Sequence, residues 1–404
     1  MNLLNELGKR EVWNDFRNYR TTRNQLSLRE SRQLDVLIEH EEYRRITDTL
    51  SFGYPVKKTI TKLNSNRKRT VYSYSSEETW VLKLLAWLLY RYDDRISDSC
   101  YSFRRNQTAR TAFDVIMKIE RLDECYSLKA DIHDYFNSID VDKLMVILKD
   151  VINDDPELVS FLERLLRQDR CYHNGELIEE KRGAMAGVPL ASFFANIYLG
   201  ELDRIFEKKG IPYLRYSDDI IIFCHSSEEL NEADRILKEN IEKMGLTLNM
   251  DKYQVSGPHE GWEFLGFRYH EGKIDLSEAT VEKMKGKIRR KALSLYRWRT
   301  QKKASYERTA AAMIRSFDRK FYDLEGDNSF TWTRFYFPVI TVSDGLHQID
   351  ETMLEYLRYL YSGRHYKGNY RISYEDIKKL GYTSLVAEYY NWKRENAELN
   401  RINE

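Results

Sequence analysis

The residues with the clearest capacity for chemistry are aspartates, which occur as three adjacent pairs at positions 93–94, 154–155 and 218–219. The first pair lies among charged residues at a predicted helix end and the second precedes Pro156, so both are predicted to be surface pairs. Asp218 and Asp219 instead lie between two β-prone runs that leave room only for a tight hairpin turn. Two carboxylates at a turn between buried strands repel each other unless a cation binds there.

A third carboxylate, Asp131, closes an apolar, strand-like segment at residues 126–132. If this strand pairs beside the hairpin, three carboxylates meet, and such hard oxygen ligands favour Mg²⁺ or Mn²⁺. Two ions roughly 3.5–4 Å apart would activate a primer 3′-hydroxyl and stabilise the leaving pyrophosphate, which is nucleotidyl transfer. The alternative is that Asp131 is only the N-terminal acid of the helix that follows.

The composition indicates the elements that must position these acids. The chain has 404 residues, 42% of them hydrophobic, with only 18 Gly and 6 Pro, which favours a helix-rich mixed fold. Residues 2–48 are helical in pattern, and a turn at residues 51–55 separates them from a basic strand-like segment at 66–74. An apolar helix follows at residues 80–90, too short to cross a bilayer.

Charge is distributed unevenly along the chain although the net formal charge is only +1. Residues 281–320 hold 14 Lys or Arg against three acids, together with Tyr296, Trp298 and Tyr306. Such a stretch would neutralise phosphates while its rings stack on sugars or bases. The alternative, a solvated helix face, normally carries both signs of charge.

Four scattered cysteines without metal-ligand spacing indicate free thiols, and residues 1–10 lack the apolar core of a signal peptide. We therefore expect a soluble cytoplasmic protein that does not interact with membranes.

Five segments in fixed order resemble the motifs of reverse transcriptases. Residues 130–136 (ADIHDYF) resemble the first palm motif, and residues 216–219 (YSDD) resemble the Tyr-x-Asp-Asp box. Residues 187–199 (GVPLASFFANIYL) resemble the template-binding loop and helix. Residues 248–252 (LNMDK) and 264–267 (FLGF) resemble the next two motifs, so that the resemblance runs from about residue 54 to 269.

The resemblance implies an α+β right-hand polymerase with fingers, a palm built on a small antiparallel sheet, and a helical thumb, plus helical N- and C-terminal extensions. The expected boundaries are an N-terminal extension at 1–50, fingers at 51–122 and 141–182, palm at 123–140 and 183–272, a basic thumb at 273–345, and a basic-aromatic tail at 346–404.

The resemblance also assigns roles. Asp131, Asp218 and Asp219, with the carbonyl of Ile132, would hold two Mg²⁺ or Mn²⁺ ions, and Lys252 would be the general acid for pyrophosphate. Phe136 matches the steric gate that selects deoxynucleotides. The other expected nucleotide-binding residues are Lys68, Arg69, Asp134, Tyr135 and Gly187. The expected nucleic-acid-binding residues are Pro189, Tyr216, Lys287, Arg290, Arg297 and Trp298.

One position departs from the family pattern: Ala186 stands where the family often has Gln before the glycine, which removes a polar contact near the base and leaves fidelity open. The space after residue 269 predicts no ribonuclease H or integrase domain. The tail, with residues 363–365 (GRH), 369–371 (NYR) and 380–386 (LGYTSLV), is similar to that of the unknown-group enzymes of bacteria, many of them associated with defence.

The expected function is RNA-directed DNA synthesis in anti-phage defence, with dNTPs as substrates, a cognate non-coding RNA as template and cDNA as product. Template-independent or protein-primed DNA synthesis is one alternative, and a maturase-like RNA-binding protein is another. The sequence does not specify the RNA, the primer, the trigger or the oligomeric state.

Overall fold

The computed structural model describes residues 2–23, 25–61, 68–180, 183–322 and 331–403, without the side chains of Thr61, Lys68 and residues 398–403. The chain forms two compact units, Met1–Glu260 and Gly261–Glu404. Within the described ranges no helix is long and apolar enough to cross a membrane. Cys100, Cys125, Cys171 and Cys224 are free thiols, and all four are buried.

The first unit contains twelve helices in its described residues. They are α1 (Leu3–Glu6), α2 (Arg10–Thr22), α3 (Leu28–Glu39), α4 (Arg44–Thr47), α5 (Ser76–Leu88), α6 (Ala109–Ile116), α7 (Tyr135–Ser138), α8 (Val141–Val151), α9 (Pro156–Leu166), α10 (Ala191–Tyr198), α11 (Gly200–Lys209) and α12 (Ser227–Lys243). The predicted helical N-terminal segment is confirmed by α1–α4, whose Trp13 and Phe16 are buried. Phe16 packs edge-to-face on Trp80 of α5, which fixes this segment against the apolar helix.

Eight strands in the described part of the first unit form two four-stranded sheets. They are β1 (Val56–Thr61), β2 (Lys68–Ser73), β3 (Tyr126–Asp131), β4 (Arg170–His173), β5 (Glu176–Glu179), β6 (Tyr213–Tyr216), β7 (Asp219–Cys224) and β8 (Gln254–Ser256). The outer sheet has the order β2-β1-β4-β5, and the central sheet has the order β6-β7-β3-β8.

Every pairing in the central sheet is antiparallel. Residues 220–224 of β7 are completely buried, because α12 packs on β3 and β7 through apolar residues such as Ile236 and Leu237. A strand buried in this way holds its register firmly, since a shift by one residue would turn its side chains over. The hairpin predicted around Asp218 and the strand that ends at Asp131 are both confirmed.

The second unit combines a three-stranded antiparallel sheet, order β11-β10-β9, with helices. Its described elements are β9 (Trp262–Phe264), β10 (Phe267–His270), β11 (Lys273–Leu276), α13 (Glu278–Lys302), α14 (Tyr306–Phe321), α15 (Trp332–Phe335), α16 (Asp344–Ser362), α17 (Tyr374–Lys379) and α18 (Leu385–Asn403). The expected α+β class is therefore confirmed, with small sheets and helical segments at both ends.

A buried carboxylate organises the second unit. Asp350 on α16 accepts hydrogen bonds from the Tyr382 hydroxyl (2.7 Å), the Ser384 hydroxyl (2.5 Å) and the backbone amides of Leu385 (2.9 Å) and Val386 (3.1 Å). Since a buried carboxylate is costly unless it is hydrogen-bonded, these contacts fasten the start of α18 to α16.

Candidate active site

Asp131 and Asp219 are direct partners across the antiparallel pair β3–β7. The amide of Ile132 donates to the carbonyl of Asp218 at 3.1 Å, which continues the pairing past the strand end. Asp131 and the adjacent acids Asp218 and Asp219, which are distant from it in sequence, therefore lie together at one end of the two inner strands of the central sheet, as the sequence predicts.

Buried polar groups form hydrogen bonds to the hairpin turn at Ser217-Asp218. Ser217 has a φ of 61°, a left-handed conformation that is uncommon for a residue with a side chain. Its amide donates to the Ser102 hydroxyl at 2.9 Å, and its carbonyl accepts from Arg215 at 3.4 Å. These two contacts fix the strained residue that precedes the two acids.

Arg215 itself is completely buried and forms a two-pronged ion pair with Asp203 of α11, at 2.8 and 2.6 Å. It also donates to the carbonyl of Asn196 at 2.9 Å, and Tyr213 donates to Asp203 at 2.9 Å. A buried charge is tolerated when its partner and remaining hydrogen bonds are in place. The base of the hairpin is thus anchored to α10 and α11.

Asp131 is the most strongly contacted of the three acids. Its carboxylate accepts from the Lys252 ammonium at 2.5 Å and from the Asn249 side-chain amide at 2.9 Å. The Asn249 backbone amide also donates to the Asp131 carbonyl at 2.8 Å. Residues 248–252 therefore lie beside the first acid and place one positive charge on it.

The three acids influence one another electrostatically. Burial, followed by the charges of Asp218 and Asp131, raises the pKa of Asp219 to about 6. Burial and the charge of Asp131 also raise the pKa of Asp218. Burial lowers the pKa of Lys252, but its hydrogen bond to Asp131 and the nearby acids outweigh this, so the net pKa is raised. The single positive charge of Lys252 does not balance three ionised carboxylates. A divalent cation would supply the missing positive charge.

The three carboxylates are of a type that binds hard divalent cations, but their arrangement is not that of an already formed metal site. The side chains are carboxylates, which Mg²⁺ and Mn²⁺ prefer. Among the described residues, however, no group of three His, Cys, Asp or Glu is already gathered as a metal cluster. Lys252 and Asn249 each donate to one oxygen of Asp131, and every carboxylate oxygen keeps a second lone pair that a cation could use.

Three of the predicted nucleotide-binding residues, Arg69, Phe136 and Gly187, line one cavity of about 440 Å³. The Arg69 guanidinium lies 5.8 Å from the centre of the Phe136 ring, which also packs edge-to-face on Phe103 at 6.4 Å. Arg69 is exposed and Phe136 is half-buried, so both are accessible from the cavity.

The glycine loop is joined to the elements that carry these residues. Gly187 has a φ of +98°, and a Cβ there would lie 2.9 Å from the carbonyl oxygen of Tyr72 on β2. Asn137 connects the same elements, because its side chain accepts from the Ala186 amide at 3.1 Å and donates to the Thr70 carbonyl at 3.3 Å. Strand β2, helix α7 and the loop thus form one assembly around the cavity.

Other predicted nucleotide-binding residues are placed differently. Tyr135 is buried, and its hydroxyl donates to the Ala195 carbonyl at 2.6 Å, so its side chain faces the core and only its backbone is available to a nucleotide. Asp134 is exposed, with a φ of 43°, and accepts from Asn137 at 3.1 Å. The Ile132 side chain is buried beside Asp218, and the side chain of Lys68 lies outside the described residues.

The predicted nucleic-acid-binding residues fall in both units. Pro189 lines the cavity of about 440 Å³, and Tyr216 is half-buried at the end of β6. Lys287, Arg290, Arg297 and Trp298 all lie on α13. Their spacing places them on one side of that helix, next to the stripe formed by the buried Met284, Ile288 and Ala292. Burial and neighbouring cations lower the pKa of Lys287.

Sequence reasoning missed four residues that support this site: Asn137, Asp203, Arg215 and Asn249. Three of them lie inside or directly beside quoted motifs, yet polar residues at those positions are equally typical of exposed turns. Asp203 lies in an amphipathic helix, where an acid is normally on the solvent face. Only the fold shows that Arg215 and Asp203 are partners.

Comparison with known proteins gives one family match. The family described as "Reverse transcriptase (RNA-dependent DNA polymerase)" matches residues 60–269, just over half of the chain. The retron Ec86 reverse transcriptase of Escherichia coli is 23% identical over 257 residues, which is 62% of this chain and 74% of that protein. The putative COX1/OXI3 intron 2 protein of Saccharomyces cerevisiae is 24% identical over 44% of this chain and 27% of that protein.

Solved structures of telomerase also align with the chain. Apo telomerase from Candida tropicalis aligns at 12% identity and a TM-score of 0.49, over 82% of this chain and 60% of that one. A form truncated from its C-terminal domain gives 14% identity and a TM-score of 0.47, over 56% of this chain and 55% of that one. Telomerase from Candida albicans, in complex with the TWJ fragment of telomeric RNA, gives 13% identity and a TM-score of 0.45, over 84% and 64%.

Proposed function

Because the chain belongs to the reverse transcriptase (RNA-dependent DNA polymerase) family, we propose that it extends DNA on an RNA template by two-metal nucleotidyl transfer at Asp131, Asp218 and Asp219. The observation that carries this proposal is the pairing of Asp131 with Asp219 beside the turn of the hairpin. Two Mg²⁺ or Mn²⁺ ions at these acids would activate the primer hydroxyl and neutralise the leaving pyrophosphate.

The residues around the acids have distinct proposed tasks. Asp131, Asp218 and Asp219, with the Ile132 carbonyl, hold the cations. Lys252 donates a proton to the departing pyrophosphate, a task for which its ammonium is suitably placed beside Asp131. The buried pair of Arg215 and Asp203 holds the hairpin so that the two adjacent acids keep their positions.

The part of the cavity of about 440 Å³ that lies beside Arg69, Phe136 and Gly187 is the proposed site of the incoming dNTP, although Asp131, Asp218 and Asp219 do not line this cavity. Arg69 would bind the triphosphate, because a guanidinium forms two parallel hydrogen bonds with phosphate oxygens. The Phe136 ring would exclude a 2′-hydroxyl, and the backbone at Asp134 and Tyr135 and the loop at Gly187 would lie against the nucleotide. Lys68 remains a candidate second cation for the triphosphate.

The RNA template and the cDNA would be bound by Pro189 and Tyr216 in the first unit and by Lys287, Arg290, Arg297 and Trp298 of α13. In this proposal the fingers comprise 51–122 and 141–182, the palm 123–140 and 183–272, the thumb 273–345, and the extensions 1–50 and 346–404. The similarity to a retron reverse transcriptase and the tail motifs support a dedicated non-coding RNA and a role in anti-phage defence. The free, buried cysteines fit the expected cytoplasmic location.

Primer extension tests the proposal directly. The purified chain is given an RNA template annealed to a DNA primer, with dNTPs and Mg²⁺. We expect DNA synthesis that is abolished by Asp219→Asn and by EDTA but not by Asp94→Asn, a control acid whose side chain is 73% exposed. Synthesis that survives Asp219→Asn, or that runs equally well without template, would contradict the proposal.

The dedicated RNA is tested in cells. RNA that copurifies with the chain is sequenced before and after phage infection, and one enriched species is expected. A random sample of cellular RNA would argue against a cognate template while leaving the polymerase proposal intact.

A further inference from the structure

The last turn of α16 and the segment that joins α16 to α17 carry a series of exposed tyrosines. Tyr361 is 38% exposed, Tyr366 50% and Tyr370 69%. Residues 356–372 contain no Asp or Glu but include Arg358, Arg364, Lys367 and Arg371. The nearest acid in sequence, Glu355, is paired with His365 at 2.7 Å. Exposed aromatic groups in a patch with an excess of positive charge indicate a binding surface more than an ordinary solvated loop. This surface is called the tyrosine–arginine surface below, and its members are Arg299, Arg358, Tyr361, Tyr366, Tyr370 and Arg371.

Its cations lie against its rings. The Arg371 guanidinium is 4.2 Å from the centre of the Tyr361 ring, and that of Arg299 is 5.9 Å from the same centre. The Arg358 guanidinium lies 5.0 Å from the centre of the Tyr370 ring. These cation–π contacts hold the rings in place, and the exposure of Tyr370 shows that much of its ring surface is left for another partner.

Two of these cations, Arg299 and Arg358, are fixed by backbone carbonyls and not by carboxylates. Arg299 donates to the carbonyl of Tyr361 at 2.7 Å and also to that of Leu360, and Arg358 donates to the carbonyl of Ile372 at 3.1 Å. No salt bridge to Arg299, Arg358 or Arg371 occurs within the part of the chain that the structure describes. Their positive charge is therefore available to an anion.

The loop that carries Tyr366 and Tyr370 has a defined shape. Asn369 is buried, and its side chain donates to the Arg364 carbonyl at 2.6 Å, while its backbone amide donates to the Tyr366 carbonyl at 3.1 Å. Gly368 lies under the Tyr366 ring, where a Cβ would come within 2.4 Å of a ring carbon. A surface ordered before binding loses less entropy when its ligand arrives.

We propose that the tyrosine–arginine surface binds single-stranded RNA, with bases stacked on Tyr366 and Tyr370 and phosphates neutralised by Arg358 and Arg371. The inference goes beyond RNA copying, because it gives the second unit a separate site that retains unpaired RNA. Every base has a flat π-face, so a series of rings beside unpaired cations fits a single strand of any sequence. Tyr and Arg are also enriched in protein–protein interfaces, so the choice of RNA rests on the guanidinium groups of Arg299, Arg358 and Arg371, whose charge complements the phosphates of a nucleic acid.

Fluorescence anisotropy tests this with a labelled 12-nucleotide oligouridylate and the full chain, in EDTA and without dNTPs. A saturating blunt RNA–DNA duplex is present so that the copying centre is occupied. The double variant Tyr366→Ala/Tyr370→Ala is expected to raise the Kd by about 30-fold or more, since two stacked bases that contribute about 1–3 kcal/mol each are lost. The variant Tyr366→Phe/Tyr370→Phe keeps the rings and should stay within about threefold of the wild type.

Tyr390→Ala is the matched control, because Tyr390 is equally exposed at 51% but lies on α18, outside the proposed surface. It should leave the Kd unchanged. Thermal unfolding of all variants separates loss of binding from loss of fold. The double alanine variant should extend a pre-annealed primer as fast as the wild type. The anisotropy measurement does not depend on polymerase activity, so it tests RNA binding even if the wild type shows no primer extension.

Three outcomes would overturn the inference: an unchanged Kd in a folded double alanine variant, an equal loss of binding in the double phenylalanine variant, or loss of self-association or of a copurifying protein with RNA affinity intact. The last outcome would assign the surface to protein contacts.

Discussion

Asp219 has a pKa raised to about 6 by burial and by the charges of Asp218 and Asp131. Without metal, the folded chain therefore binds this proton more tightly than the unfolded chain, whose Asp has a pKa near 3.9. The stabilisation that protonation supplies is complete below the unfolded pKa and is lost as the pH rises through about 6.

Replacing this acid should consequently stabilise the metal-free protein. Asp219→Asn is expected to raise the free energy of unfolding at pH 8 by about 1–2 kcal/mol, with the gain disappearing near pH 4. Urea denaturation in EDTA at several pH values measures it. Mg²⁺ should stabilise the wild type at pH 8 and have little effect on the variant. A variant that is less stable than the wild type at pH 8 would show that the acids do not repel one another.

Lys252 permits a second test at the level of a single residue. If it is the general acid, Lys252→Arg keeps the positive charge beside Asp131 but loses the proton donor, because a guanidinium does not deprotonate in proteins. We expect kcat for nucleotide addition to fall about 100-fold in both Lys252→Arg and Lys252→Ala. The free energy of unfolding should change mainly in Lys252→Ala. Single-turnover incorporation measures the rate, and Lys238→Ala is the surface control. Full activity in Lys252→Arg would leave the lysine with a purely electrostatic role.

At the scale of elements, the hairpin formed by β6 and β7 depends on Arg215, a charged residue that is completely buried. Arg215→Met would leave Asp203 buried and unpaired, which is expected to cost about 3–5 kcal/mol of unfolding free energy. The double variant Arg215→Met/Asp203→Leu should recover most of this stability, because both charges are then absent. It should still extend primers more slowly than the wild type, since Ser217 has lost the contact to its carbonyl. Denaturation and primer extension on the same preparations distinguish the two effects.

The glycine loop provides an element-scale prediction with its own control. Gly187 and Gly175 both have positive φ values, +98° and +89°, but only Gly187 is close to another backbone. Gly175→Ala should cost about 1–2 kcal/mol of unfolding free energy from backbone strain alone. Gly187→Ala should cost about 1–3 kcal/mol more, because the added Cβ meets the Tyr72 carbonyl. It should also raise the KM for dNTP. Equal losses of stability would show that the loop moves away easily.

The sequence predicted the elements that carry the three acids better than it predicted what supports them. Strand and turn patterns depend on neighbouring residues. The end of β3 at Asp131 and the hairpin at Asp218 can therefore be predicted from the sequence around them. The partnership of Arg215 with Asp203, and the bridge that Asn137 makes to Ala186, join residues whose separations carry no periodic signal. Tyr135 illustrates the same limit, since only packing shows that its side chain faces the core.

For the whole molecule, a net charge of +1 conceals a segment with a large excess of positive charge. On α13, the triple variant Lys287→Ala/Arg290→Ala/Arg297→Ala removes three cations from one helix side. We expect the slope of log K against log salt concentration for single-stranded RNA to become less steep by about 2, since each phosphate contact contributes about 0.7. Binding isotherms at four salt concentrations measure it. A triple variant with the original slope would assign the phosphate contacts to other residues.

The four cysteines have a practical consequence for observing this molecule at work. All are buried, and burial raises the pKa of Cys100, Cys125 and Cys224, the last to about 12. Because a maleimide reacts with the thiolate, native thiols of this kind should stay unmodified at neutral pH. A single cysteine introduced at an exposed position would then take a fluorescent dye in the otherwise native chain, so the two compact units could be labelled one at a time and their movement followed during a reaction cycle.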